Sequence, residues 1–295
     1  MTRISELLKR LVEGGVEVTS AIKRVMVETD VESFSDYDCD PFYSDRPIPF
    51  TETELGEIKT ISAPHMIVTL LHYMELLDEQ EVIIIGSKGG YLAALIAQLV
   101  GEKGVVRVLD TCSNVISHSK QRLTHWPTIE FRELESIEVS PVAFPGEFDR
   151  VLITGNIDHL PNWITSRISD TGFVIAPLGP SSNQHLMKIE RQGDELFPTN
   201  LGPVCFGPLE SKEHHGQYVN PVELAELLEL VIQTCQELEI IEEEEINQLQ
   251  DIIAELYFLP DDLPPVGEGG IPISGHPMFK SLIEKSDSFV RFWPI

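Results

Sequence analysis

Basic residues are scarce in this sequence. Lysine and arginine number 21 against 48 aspartates and glutamates in 295 residues, a net charge of −27. So acidic a chain repels phosphate backbones and anionic lipid headgroups, which argues against a nucleic-acid partner and against a membrane-surface role. The acidity itself fits a salty cytoplasm, a cationic partner or plain solubility, and composition does not choose among these. Long apolar runs are missing as well: none reaches the roughly 18 residues that a bilayer span needs. The opening MTRISELLKRLVEGG alternates charged and apolar residues at helical spacing, without the apolar block of a secretory leader. A cytoplasmic protein is the implied reading. Cysteine is nearly absent. Cys39, Cys112, Cys205 and Cys235 are scattered, with no CxxC pair, so reduced thiols are expected in place of disulfides or a metal site. The pair His214–His215 has no third ligand at metal-site spacing, and no metal is expected there.

What is present is core-forming material. Apolar residues make up 42% of the chain, enough for one large domain, or a domain with an appendage. The spacing predicts amphipathic helices over 4–13 and 18–27, then an irregular, polar cover segment over 28–59 with aromatic anchors at Phe34, Phe42 and Tyr43. From 60 to about 192 short β-branched runs alternate with helical ones. Strands are expected at 81–86, 104–110, 129–131, 148–155 and 171–179, and helices at 63–77, 90–100, 113–124 and 160–168. That alternation predicts an α/β fold, a doubly wound and mostly parallel sheet. The runs QHLMKIERQGDELFP and LGPVCFGPL read as further strands that close the sheet, antiparallel to it.

Beyond about residue 210 the texture changes to two acidic amphipathic helices. One is striped by Leu224, Leu227, Leu228 and Val231, the other by Leu249, Ile252, Ile253 and Leu256. Glu242–Glu245 suit the positive end of the second helix dipole. Such stripes must lie on each other, on the preceding domain or on a second chain, as must Phe289, Phe292 and Trp293 near the end. The extension is therefore expected to dock on its own core or on a twin subunit, which leaves a homodimer, or a partner held through it, as one option. Three regions result: helices and cover over 1–59, a ligand-binding domain over 60–210 and a helical C-terminal extension over 211–295.

The chemistry concentrates in two places. IIIGSKGGYLAALIAQLV, residues 83–100, has the outline of a strand, a glycine turn and a helix. Gly86-Ser87-Lys88-Gly89-Gly90 would let backbone approach a ligand closely. Asp110, at the end of the next expected strand, stands close to the roughly 20 residues downstream at which an acid accepts from ribose hydroxyls. The same spacing equally suits an N-cap of the following helix. TISAPHM, residues 60–66, precedes this unit.

TISAPHM, GSKGGYLAALIAQLVG, FDRVLITG and GFVIAPLG, in this order, with PFYSDRPIP before them and LGPVCFGPL after, resemble the protein-L-isoaspartate O-methyltransferase family over roughly residues 15–210. The resemblance implies a Rossmann-like methyltransferase that uses S-adenosyl-L-methionine and acts on a protein or peptide carboxylate. Ser62 then matches the active-site serine, itself otherwise read as a helix N-cap. Thr60, Ile61, Ala63, Pro64 and His65 would shape the substrate loop around it. Gly86, Ser87, Lys88, Gly89, Gly90 and Asp110 fall on the cofactor-binding motif, and Glu133 or Glu135 on the contact near the adenine. A general-base role for His65 is the weaker reading, because a carboxylate is already ionised at neutral pH. The sequence also departs from the family pattern. Ile84 stands for an acid, Lys88 for the middle glycine, and FRELESIEV for a Gly-Asp-Gly. Lys88 either pairs with the carboxylate of the cofactor's methionine part or points to solvent. Two functions remain: a carboxyl methyltransferase, or a non-catalytic descendant that binds a partner.

Overall fold

The computed structural model describes residues 2–53, 58–141, 146–180, 183–209, 221–237, 243–260, 263 and 276–284. Its centre is β3 (Glu81–Ile85), whose Val82, Ile83, Ile84 and Ile85 are all fully buried. β-branched residues buried on both faces are what a parallel strand between helical layers requires. β4 (Val105–Asp110) and β5 (Ile129–Glu133) lie parallel on one side, and β6 (Phe148–Ile153) and β7 (Ile168–Leu178) parallel on the other. β8 (Gln184–Gln192) and β9 (Glu195–Val204) extend the sheet antiparallel, in the order β5-β4-β3-β6-β7-β8-β9. The doubly wound, mostly parallel sheet and its antiparallel edge are as the sequence predicts. The edge differs in one detail: β8 and β9 turn at Gly193-Asp194, inside a run read as one strand.

The helices between strands are α3 (Pro64–Met74), α4 (Tyr91–Val100), α5 (Ser113–Arg122) and α6 (Asn162–Thr165). Pro64 takes the first position of α3, where its missing N–H has no acceptor to lose. α4 is apolar nearly all round and correspondingly buried. α6 is one turn, not the helix expected over 160–168, because Ile168 already pairs with Phe148 in the sheet.

The N-terminal segment is more ordered than its polarity suggests. α1 (Arg3–Glu13) and α2 (Ser20–Glu28) are capped by Thr2 and Thr19, whose side chains accept from Ser5 N and Ile22 N. Two 3-10 turns, Val31–Phe34 and Asp40–Ser44, lead into a hairpin of β1 (Ile48–Glu52) and β2 (Ile58–Ile61). This corrects the irregular cover expected over 28–59, and β2 runs across residues 59 and 60. Phe34 and Phe42 close edge-on over Tyr91 at the start of α4, at centroid distances of 5.4 and 5.7 Å. Leu7, Phe42, Phe50 and Ile61 belong to the same apolar cluster as Val82, Ile84 and Tyr91.

Residues 1–211 and 212–295 form two compact units. In the second, α7 (Pro221–Glu237), α8 (Glu243–Tyr257) and α9 (Pro277–Glu284) gather Ala225, Leu228, Ile232, Leu249, Ile252, Ile253, Leu256 and Met278 into one cluster. The stripe read for α8 is the buried one. That for α7 is rotated: Leu228 is buried, but Leu227 and Val231 are 49% and 41% exposed, and Ala225 and Ile232 take their places inside. Glu243–Glu245 open α8. His214, His215, Phe289, Phe292 and Trp293 lie outside the described residues. Among the described residues, no helix is long and apolar enough to cross a membrane.

Candidate active site

Strand register levels three chain ends. Ile85 pairs with Leu109 on one side and with Ile153 on the other, so Gly86, Asp110 and Thr154 leave the sheet side by side at its carboxyl edge. Connections leave β3 and β6 in opposite directions here, the place where open α/β sheets form ligand crevices. A cleft does lie there. It is lined by Gly86, Ser87, Lys88, Asp110, Cys112 and Thr154, with Phe50, Lys59 and Thr60 of the β1–β2 hairpin facing them.

The turn after β3 needs left-handed backbone. Gly86, Gly89 and Gly90 have φ of 96°, 72° and 88°. A Cβ on Gly86 would stand 2.3 Å from Thr154 Oγ1, and Thr154 Oγ1 donates to Gly86 O at 2.7 Å. Lys88 adopts φ 47° without being glycine, at a strain of about 1–2 kcal/mol.

Asp110 is 6% exposed. Its carboxylate accepts from Ser87 N at 2.8 Å and from Cys112 N at 2.9 Å, so it joins the glycine turn to the exit of β4. The N-cap of α5 is Cys112, without a side-chain cap bond, so Asp110 is not that cap. Burial pushes the Asp110 carboxyl up, against the two backbone donors and the Lys59 and Lys88 charges, which lower it. Burial likewise lowers Lys88, to about 8, with Lys59 adding to the effect and Asp110 opposing it. A buried carboxylate facing two ammonium groups beside backbone at close approach suits a polar ligand with hydroxyl donors and an anionic group.

Ser62 and Ala63 link β2 to α3 directly after the cleft-lining Thr60. Ala63 is the N-cap of α3, without a side-chain bond, so Ser62 does not cap it and its half-buried hydroxyl serves no cap. His65 turns the other way. Its backbone N donates to Asp45 Oδ1 at 2.8 Å and its Nδ1 lies 3.0 Å from both carboxylate oxygens. The second 3-10 turn thus holds the start of α3, and His65 lines a separate depression with Arg10, Tyr43 and Asp45. Ile61 is buried in the core beneath the loop. Glu133 pairs in register with Asp110 but is exposed, and lines another depression with Glu135 and Val139, away from the cleft.

A model of the protein-L-isoaspartate(D-aspartate) O-methyltransferase family matches residues 2–214. The chain belongs to this family. Similar relatives include the protein-L-isoaspartate O-methyltransferase of Methanothermobacter thermautotrophicus, 27% identical over 71% of this chain and 95% of its own. That of Fervidobacterium nodosum is 27% identical over 57% and 82%. Among solved structures, a beta-aspartate methyltransferase from Plasmodium falciparum in complex with S-adenosyl-L-homocysteine superposes with a TM-score of 0.59 at 22% identity, covering 71% of this chain and 99% of its own. A second protein-L-isoaspartate O-methyltransferase gives a TM-score of 0.63 at 21% identity, covering 76% and 70%. The methyltransferase fold is shared with both.

Several lining residues escaped the sequence reading. Thr154 and Gly155 lie at the carboxyl end of β6, where the rule that located Asp110 would also have found them. Phe50 and Lys59 reach the cleft only through the β1–β2 hairpin, and Leu209 through a bridge of Asn156 with Pro208.

Proposed function

We propose that the chain methylates isoaspartyl carboxylates of damaged proteins and peptides at the edge of the β3–β4–β6 cleft. Membership of the family makes it an S-adenosylmethionine-dependent O-methyltransferase. The observation that carries the site assignment is the level register of Gly86, Asp110 and Thr154 beside the loop that holds Ser62.

S-adenosylmethionine supplies, when bound, a sulfonium methyl that a carboxylate oxygen takes as the neutral thioether leaves. The acceptor is already ionised at neutral pH, so no protein base is needed. The chain's task is therefore alignment and exclusion of water. Asp110 is the acceptor for the ribose hydroxyls, the glycine turn brings backbone to the nucleoside, and Lys88, on four side-chain torsions, rotates to admit it. Ser62 donates to the incoming carboxylate. His65 and Asp45 position that loop by clamping the first turn of α3. Phe50 and Lys59 form the outer wall and keep water from the reacting carboxylate. A cytoplasmic location belongs to the same reading, supported by four free cysteines. So does a partner surface on α7, where Leu227, Leu230 and Val231 are exposed.

Replacing Ser62 by alanine tests the assignment. Methyl transfer to an isoaspartyl peptide should fall at least tenfold, as expected for one lost hydrogen bond to a charged group. Affinity for S-adenosylhomocysteine, measured by titration calorimetry, should be unchanged. Equal loss of both would make Ser62 a structural residue.

A further inference from the structure

Lys88 is the one residue of the glycine turn whose side chain the turn does not need. Glycine would take its φ of 47° freely. The side chain is half-buried in the cleft lining. Nζ lies 5.7 Å from the centre of the Phe206 ring. No hydrogen bond or salt bridge to another described residue holds it. Phe206 is itself fixed, with its N and O both bonded to the side-chain amide of Gln184 at 2.7 and 2.9 Å. Lys59 lines the same cleft. Asp110, whose charge acts on Lys88, already accepts from two backbone N–H groups. Lys88 is thus a cation of the cleft lining with no hydrogen-bond or ion-pair partner among the described residues, in a chain that has 21 basic residues against 48 acidic ones. Such an arrangement is completed by an anion from outside.

We propose that the Lys88 ammonium binds the α-carboxylate on the methionine part of the cofactor. The proposal rests on the S-adenosylmethionine reading of this cleft. The cofactor's carboxylate fits better than the peptide's because Lys88 belongs to the turn next to Asp110, whereas Ser62 does not line this cleft.

A consequence follows for pH. The charged and titratable groups around Lys88 in the cleft are Lys59, Asp110 and Cys112. Burial and Lys59 lower Lys88 to about 8 in the free protein. A carboxylate alongside raises it again. Binding therefore takes up a proton once pH rises above about 8, and affinity falls there as the free ammonium is lost.

The test is titration calorimetry on the full chain with two probes, in buffers of different ionisation enthalpy. S-adenosylhomocysteine carries the carboxylate. Methylthioadenosine is the same nucleoside thioether without it. We expect Lys88→Met to weaken S-adenosylhomocysteine roughly tenfold to a hundredfold, the size of a charge-assisted contact. Methylthioadenosine binding should stay as it was, and Lys88→Arg should keep most of the affinity. Proton uptake should accompany S-adenosylhomocysteine but not methylthioadenosine. That readout uses the unaltered chain and does not depend on how the variants fold. The proposal is overturned if Lys88→Met binds S-adenosylhomocysteine as tightly or more tightly, or if no proton is taken up. It is overturned too if only the KM for the isoaspartyl peptide rises, which would give the ammonium to the peptide. Should the unaltered chain bind neither nucleoside, the cofactor reading of the cleft falls first and this contact with it.

Discussion

Asp110 shows how much one side chain carries in this site. It stands at the end of β4 and holds Ser87 N and Cys112 N, and those two bonds fix the glycine turn against the neighbouring strand. Burial disfavours its ionised form, and the same enclosure strengthens every contact that the ionised form makes. The account predicts that Asp110→Ala weakens S-adenosylhomocysteine by about 1.5–3 kcal/mol. It should also lower the melting temperature, since two buried amides lose their acceptor, and Asp110→Asn should restore part of that stability. Calorimetry and thermal melts read both effects. Unchanged affinity in a folded variant would reduce Asp110 to a brace for the turn. At this scale the sequence was informative where spacing and residue type coincide, as for Gly86 and Asp110. It was not informative for His65, whose partner Asp45 is itself the left-handed residue that ends a 3-10 turn. Nor did it place Glu133, since alternation along a strand does not say which side chain reaches round the sheet edge.

Among the elements, the parallel strands and their helices were legible because each is a short β-branched or apolar run with glycine or polar residues at its ends. The β1–β2 hairpin was not. Ile48 and Phe50 do alternate with Pro49 and Thr51 in burial, but β2 has only four residues, Ile58–Ile61, with Ile58 exposed. The surrounding Asp, Glu and Pro outweighed that weak period. The turn at Gly193-Asp194 was legible and was missed, for two such residues between β-rich runs mark a tight hairpin. On α7 the apolar residues outnumber the positions that can be buried, so the pattern admits more than one face and packing selects the one with Ala225 and Ile232. The N-terminal segment gives the prediction that belongs here. Phe42 is fully buried and meets Tyr91 at the head of α4. Phe42→Ala should destabilise residues 1–211 by about 3–5 kcal/mol, read by denaturant unfolding. A loss below about 1 kcal/mol would mean that the segment is a surface cover with no part in the core.

For the whole molecule, an acidic chain of net charge −27 presents a site in which positive charge is concentrated, at Lys59 and Lys88. That contrast draws an anionic or zwitterionic ligand to the carboxyl edge of the sheet and disfavours polyanions elsewhere. The central claim is that this edge transfers methyl groups to isoaspartyl carboxylates. The most direct measurement is transfer of labelled methyl from S-adenosylmethionine to two peptides of one sequence, with isoaspartate in one and ordinary aspartate in the other. The account predicts base-labile methyl ester on the isoaspartyl peptide, little on its twin, and loss of the signal in Asp110→Ala. Equal labelling of both peptides, or none of either while S-adenosylhomocysteine still binds, would contradict it.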